Sequence, residues 1–221
     1  MKYIKLFDTH SEYEAAESSL ILPNVSFCKD TANEVHYNPY VPYDPYNGHE
    51  YVDLGLSSGT KWATMNVGAT SETEYGNYYK YGKGSNQYDY SDKTNYSGNE
   101  EPLAASADTA AQEWGGEWHM PTEAQLRELT ANTAYQWVTN YNDSGISGIK
   151  FTSKTDSTKY IFIPAAGYYQ NGNRLYANSY CKLWSSSPSS PRAIHLFFRD
   201  GYKTVDTELR EYGLSIRGVV G

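Results

Sequence analysis

From Ala193 to Arg199 the side chains alternate in character. Ile194, Leu196 and Phe198 fall on one side of an extended chain, and Ala193, His195 and Phe197 on the other. Asp200-Gly201 then supplies a tight turn, because glycine takes the positive φ that a hairpin needs. Farther on, Leu214 and Ile216 alternate with Ser215 and Arg217. The pattern predicts a run of short strands with one buried face across residues 161–221. Two more strands are predicted at 51–56 and 61–67, around a turn at 57–60, with Trp62 in the core. Others are expected near 135–140, 147–153 and 159–163.

Helical periodicity is scarce. Thr122 and Gln125 have capping-box spacing ahead of Leu126 and Leu129, so a helix is expected from there to about Asn132. Ser71 and Glu74 have the same spacing and predict a short helix reaching Tyr79. Residues 82–108 are Gly, Ser, Asn, Asp and Tyr with few apolar positions, and read as a long surface loop. Residues 114–121 read as a turn packed with indoles.

Residues 1–48 read as a separate module ahead of a main domain at 49–221. Thr9 and Glu12 have capping spacing for a short helix. Residues 24–29 and 34–37 flank a four-residue loop and read as a hairpin. Tyr37, Tyr40, Tyr43 and Tyr46 then recur every third residue among prolines, the period of a polyproline II rod.

Composition narrows the function. The net charge is −8, which argues against a surface that binds nucleic acid through bulk charge. Tyrosine is the outlier, at 23 of 221 residues against 6 Phe and 5 Trp, more than packing alone calls for. Tyrosine gives stiff contact area at low entropy cost, while Ser, Asn and Gly add adaptable hydrogen bonding, the mixture of a paratope. Two cysteines, Cys28 and Cys181, are too few for a disulfide framework; two buried thiols are the default and one bridge stays open. The start lacks the apolar run of a signal peptide, and no stretch approaches a membrane span, so synthesis and folding in the cytoplasm are expected.

Five blocks carry a resemblance to a known family. They are Tyr51-Val52-Asp53-Leu54-Gly55-Leu56 with Lys61-Trp62-Ala63, then Trp114-Gly115-Gly116-Glu117-Trp118-His119-Met120-Pro121-Thr122, then Ile163-Pro164-Ala165-Ala166-Gly167, Leu183-Trp184-Ser185-Ser186 and Tyr212-Gly213-Leu214-Ser215-Ile216-Arg217. In this order they resemble the Fibrobacter succinogenes major paralogous domain family of gut Bacteroidetes and their phages. The resemblance covers about residues 50–221. It implies an α+β, C-type lectin-like fold: a mixed, mainly antiparallel sheet, two helices and chain ends that meet in one strand pair. The same fold carries variable proteins of diversity-generating retroelements, whose C-terminal segment is the ligand surface. The N-terminal module also resembles a leader on phage and prophage structural proteins. Two departures stand out: Arg217-Gly218-Val219 replaces the family's Arg-Pro-Val, which is expected to loosen the strand end, and His119 stands where Arg is frequent.

The chemistry of an enzyme is sparse. The carboxylate set and Trp-Asn-Asp triplet of a calcium lectin are missing around Trp184, where Ser185, Ser186 and Ser187 read as a hydroxyl-rich turn. Cys181 has no cysteine near it in the C-terminal domain, which disfavours the paired-cysteine enzymes of this fold. His10, His36, His49, His119 and His195 show no i, i+4 pair, so no metal and no cofactor is expected. The expected function is therefore ligand binding without catalysis, at a virion or cell surface. The partner would be a protein or glycan on a target cell, with no nucleic acid and no membrane insertion; association of like subunits stays open. The candidate contact residues form two groups. Tyr168, Tyr169, Asn171, Arg174, Tyr176, Asn178, Tyr180 and Lys182 are one. Arg192, His195, Phe197, Arg199, Asp200, Tyr202, Thr204, Asp206, Glu208 and Glu211 are the other. If a retroelement diversifies the gene, these positions vary while Ile194, Leu196, Phe198, Leu214 and Ile216 remain as framework. A structural subunit, or a hydrolase with paired carboxylates, is the alternative.

Overall fold

The computed structural model describes the backbone of Leu6–Phe7, Ser26–Lys29 and Val35–Asn38, then Asp44 and residues 46–221 with their side chains. The chain divides into two compact units, Met1–Asp44 and Pro45–Gly221. In the first, strands β1 (Leu6–Phe7), β2 (Ser26–Lys29) and β3 (Val35–Asn38) form one sheet in that order. β2 and β3 pair antiparallel with Cys28 opposite His36, as the hairpin reading requires, and β1 joins β2 in parallel. The expected helix at 9–16 and the rod at Tyr40 and Tyr43 lie outside the described residues; the backbone of Tyr37 belongs to β3.

The second unit is α+β and mostly antiparallel. Its first strands, β4 (Tyr51–Asp53) and β5 (Lys61–Asn66), share a sheet with its last, β14 (Arg217–Val220), in the order β14-β5-β4. Trp62 on β5 is fully buried. The start and end of this unit are thus hydrogen-bonded side by side. A second sheet holds β6 (Thr133–Val138), β7 (Gly148–Ser153) and β8 (Tyr160–Pro164), and a third holds β11 (Tyr180–Ser189), β12 (Arg192–Arg199) and β13 (Tyr202–Leu209). A small hairpin, β9 (Tyr168–Gln170) and β10 (Asn173–Leu175), turns through Asn171 and Gly172, both at positive φ.

Two α-helices appear among the described residues. α1 (Thr109–Trp114) is capped by Asp108, whose carboxylate accepts from Ala111 N at 3.0 Å and from Met120 N at 2.8 Å. Six residues are too few to show a helical period, so the polar pattern does not announce it. α2 (Glu123–Asn132) has the expected capping box, Thr122 with Gln125, and buries Leu126 and Leu129. The second predicted helix does not form. Residues 71–79 run as turns and extended chain instead. The Glu74 carboxylate accepts from Thr70 N at 2.7 Å, Asn77 N donates to Val67 O at 2.9 Å, and Tyr79 bridges Leu214. Gly76 explains why: at φ 70° it lies against the Val67 carbonyl, a close approach that a side chain would block. Tertiary pairing outweighs a local cap.

The third sheet separates two apolar clusters. Cys181, Leu183, Ile194, Leu196 and Phe198 face Trp62, Leu126, Leu129 and Phe151. Trp184 and Ala193, on the other face, join Tyr79, Tyr81, Trp118 and Met120. The expectation of one buried face is therefore corrected at this end of the sheet, where both faces are covered. Ser215 and Arg217 are likewise fully buried. Ser185, Ser186 and Ser187 are not a turn but a buried stretch of β11, at a register shift between Trp184 and Pro188. Ser187 Oγ accepts from Glu123 N at the start of α2. Gly218 does not leave the strand end loose: its missing Cβ makes room for the rings of Trp114 and Trp118.

The surface loop 82–108 is held both locally, by the Lys83–Asp92 ion pair and the Ser91–Asp89, Thr94–Asp92 and Tyr96–Glu100 hydrogen bonds, and from a distance. Arg210, buried beside Tyr81, donates to Tyr96 O at 3.0 Å, Gly98 O at 2.7 Å and Asn99 Oδ1 at 2.9 Å. Leu103 is buried and its N–H donates to Ser186 O.

The β12–β13 turn isolates a backbone effect. Gly201 sits at φ 68° with open space where a Cβ would lie. Gly201→Ala is expected to cost about 1 kcal/mol through φ alone. Thermal unfolding measures it; an unchanged midpoint would show that the turn relaxes without strain.

Candidate ligand-binding face

Cross-strand neighbours share a face. The registers Tyr180–Arg199–Tyr202, Lys182–Phe197–Thr204 and Trp184–His195–Asp206 therefore place eight of the eighteen predicted contact residues on one side of the third sheet. Glu208, opposite Ala193, belongs to the same side. Thr204 is half-buried and Arg199, Tyr202 and Asp206 are exposed. The guanidinium of Arg199 lies 5.5 Å from the Tyr202 ring centre.

Aromatic rings run across this face without a break. Tyr202 meets Phe197 at 5.9 Å, Phe197 meets Tyr180 at 5.6 Å, and Tyr180 stacks on Tyr176 at 4.6 Å. Tyr176 lies 6.0 Å from Tyr168, which lies 6.0 Å from Tyr212. Beside this strip is a depression of about 310 Å³. Tyr168, Tyr176, Tyr180 and Phe197 are its aromatic lining; Lys182, His195, Asp206, Thr207 and Glu208 complete it. The size is at the lower end for small-ligand pockets.

The charges inside are specific. Lys182 is ion-paired to Glu208, and its ammonium lies 4.0 Å from the Tyr168 ring centre. The other Glu208 oxygen accepts from Leu209 N at 2.9 Å. Asp206 accepts from Thr207 N at 2.7 Å and has no ion pair among the described residues. Burial, and secondarily the Lys182 charge, push the His195 pKa down to about 4, so the imidazole is neutral at pH 7. Its Nδ1 is buried without a hydrogen-bond partner.

Several predicted contacts have other roles. His195 and Tyr168 are not on the outer surface, at 3% and 9% exposure. They form the floor, because Trp184 flanks the imidazole and Lys182 covers the phenol ring. Asn171 is a turn residue at φ 52°. Asn178 braces its own loop, accepting from Ser147 N at 2.5 Å and donating to Gly145 O at 3.1 Å. Arg192 falls on the parity of Ile194, not of the outer set, and is exposed only because it starts the strand; it lies 3.9 Å from Glu208. Arg174 reaches the Tyr75 ring. Tyr169 packs between Tyr78 and Tyr88 in a separate hollow of about 480 Å³. Asp200 is exposed at the β12–β13 turn, and Glu211 borders a third hollow with Lys80 and Asn171. Tyr212, not among the predicted contacts, ends the aromatic strip; its contacts with Tyr168 and Lys182 assign it to the face.

Cys181 is a free, fully buried thiol whose pKa burial pushes up to about 12, which leaves it unreactive. Among the described residues no group of three His, Cys, Asp or Glu side chains is placed to hold a metal, and no helix is long and apolar enough to cross a membrane. Set against protein-family models, curated proteins and solved structures, the chain matches none.

Proposed function

We propose that residues 45–221 form a C-type lectin-like recognition domain, similar to the Fibrobacter succinogenes major paralogous domain family, which binds a protein or glycan on a target cell. It acts without catalysis, on a phage, prophage or bacterial surface. The observation that carries this reading is the unbroken strip from Tyr202 to Tyr212, with Tyr168 buried as its floor, while Ile194, Leu196 and Phe198 on the strand of Phe197 fill the core. A rigid sheet that exposes large, stiff, amphipathic side chains is what a recognition surface needs. The pairing of the unit's first and last strands and the two helices support the fold assignment. Glu208, the carboxylate nearest Asp206 in sequence within the depression, is tied to Lys182, which disfavours a paired-carboxylate hydrolase there.

The test is binding of the labelled protein to a panel of intact bacterial cells. Tyr180→Ser with Phe197→Ser is expected to weaken binding about tenfold or more, with the unfolding midpoint little changed. Tyr135→Ser, at another exposed tyrosine, is expected to leave binding unchanged. Equal binding by both variants overturns the assignment.

A further inference from the structure

Tyr176 is held in a conformation that its side chain opposes. Its φ is 57°, in the left-handed region that aromatic residues rarely adopt. Burial does not compensate, because the residue is 53% exposed. The neighbours impose the geometry. Gly167 lets the Leu175 carbonyl and Ala177 backbone approach where a Cβ would stand, and Asn178 pins the loop to Ser147 and Gly145. One face of the Tyr176 ring stacks on Tyr180 at an interplanar angle of 24°. Strain of this kind, kept at a ring that borders a depression, points to a ligand contact.

The charge in that depression selects the ligand. Among the residues that line it, Glu208 neutralises Lys182 and His195 is uncharged at pH 7, so the charge without an ion pair is the Asp206 carboxylate; Arg192, outside the lining, lies 3.9 Å from Glu208. The aromatic faces around it add negative potential. We propose that this depression binds a guanidinium group, the side chain of an arginine on a partner protein, stacked on Tyr176 and paired with Asp206. The inference rests on the reading of this face as a recognition surface. A planar guanidinium can lie flat on a ring and direct N–H groups at a carboxylate; a compact, strongly hydrated ammonium does neither as well. A neutral sugar would gain from stacking but not from the excess charge.

The experiment is titration of the full chain, followed by NMR, with N-acetyl-arginine amide, N-acetyl-lysine amide and methyl pyranosides. The arginine probe is expected to bind about fivefold more tightly than the lysine probe. Asp206→Asn is expected to weaken it roughly fivefold or more. Tyr176→Gly separates function from packing: it is expected to raise the thermal midpoint, since glycine accepts positive φ, and yet to weaken the arginine probe. Equal affinity for the two cationic probes, no binding of either, tighter binding of a pyranoside, or unaltered binding by Asp206→Asn each overturns the proposal. If cell binding persists and still depends on Tyr180 and Phe197, the recognition surface stands and only the guanidinium assignment falls.

Discussion

Arg217→Ala is expected to remove about 5 kcal/mol, enough to unfold a domain of ordinary stability. Arg217 is fully buried. Its Nε donates to Asn66 Oδ1 at 3.0 Å, one terminal nitrogen to Ala63 O at 3.0 Å, and the other to Phe162 O at 2.9 Å. Those acceptors belong to β5 and β8 while the arginine belongs to β14, so one side chain clamps two sheets. Burial lowers its pKa to about 9, and it still carries its charge at neutral pH. Truncation leaves three acceptors without donors in a dry site, at about 1–3 kcal/mol each, and opens a cavity. Arg217→Lys keeps the charge but cannot present a planar fork to three separated oxygens, so about half of the loss is expected. Urea unfolding measures both. A loss below about 1.5 kcal/mol for the alanine variant would mean that water replaces the clamp.

His195 makes the protein acid-sensitive in a defined window. Its folded pKa of about 4 lies below the ordinary 6.5. Between those values the unfolded chain binds the proton and the folded chain does not. Stability is therefore complete above about pH 6.5, declines as the pH falls, and levels off below about pH 4 for this group. The full loss is about 3 kcal/mol, because each tenfold drop in proton affinity on folding is worth about 1.4 kcal/mol. Asp89, Asp92 and Asp156 are also held below the ordinary value by hydrogen bonds to Ser91, Thr94 and Thr158. Their stabilisation is lost at lower pH than the upper part of the histidine window, since an unfolded Asp titrates near 4. Asp108, whose pKa burial raises, acts with the opposite sign, so the share of His195 between about pH 6.5 and 4.5 is the difference between the urea midpoints of the parent and His195→Leu proteins. His195→Leu is expected to flatten the profile there, and an unchanged slope would locate the acid sensitivity elsewhere.

The strands were legible because period-two alternation marks a half-buried strand: Ile194, Leu196 and Phe198 are core residues, as the pattern requires. The α2 cap was legible because Thr122 and Gln125 satisfy each other's backbone within four residues. Ser71 and Glu74 offered the same local signal and no helix formed, since Gly76 lies against the Val67 carbonyl and Asn77 N donates to it. α1 was too short to show a period. In the candidate site, the sequence offered Tyr180 and Lys182 in one group and Phe197, Thr204 and Asp206 in another, and the strand pairing from Tyr180 to Trp184 puts all five on one face. Alternation failed for His195 and Tyr168, because it tells which face a residue is on and not whether another part of the chain covers that face.

The sequence by itself therefore determined what is local: the α+β character, the strand periods, the α2 cap, the hairpin turns and the abundance of stiff tyrosine. Tertiary structure decided which tyrosines are floor, strip or core, that Arg217 faces inward, and that Lys182 is spent on Glu208 while Asp206 is free of an ion pair among the described residues. The physical reason is range. Backbone preference and capping act over a few residues, whereas burial and the buried hydrogen bonds join distant segments, 151 residues apart for Asn66 and Arg217, and the Lys182–Glu208 ion pair needs two strands brought into one sheet.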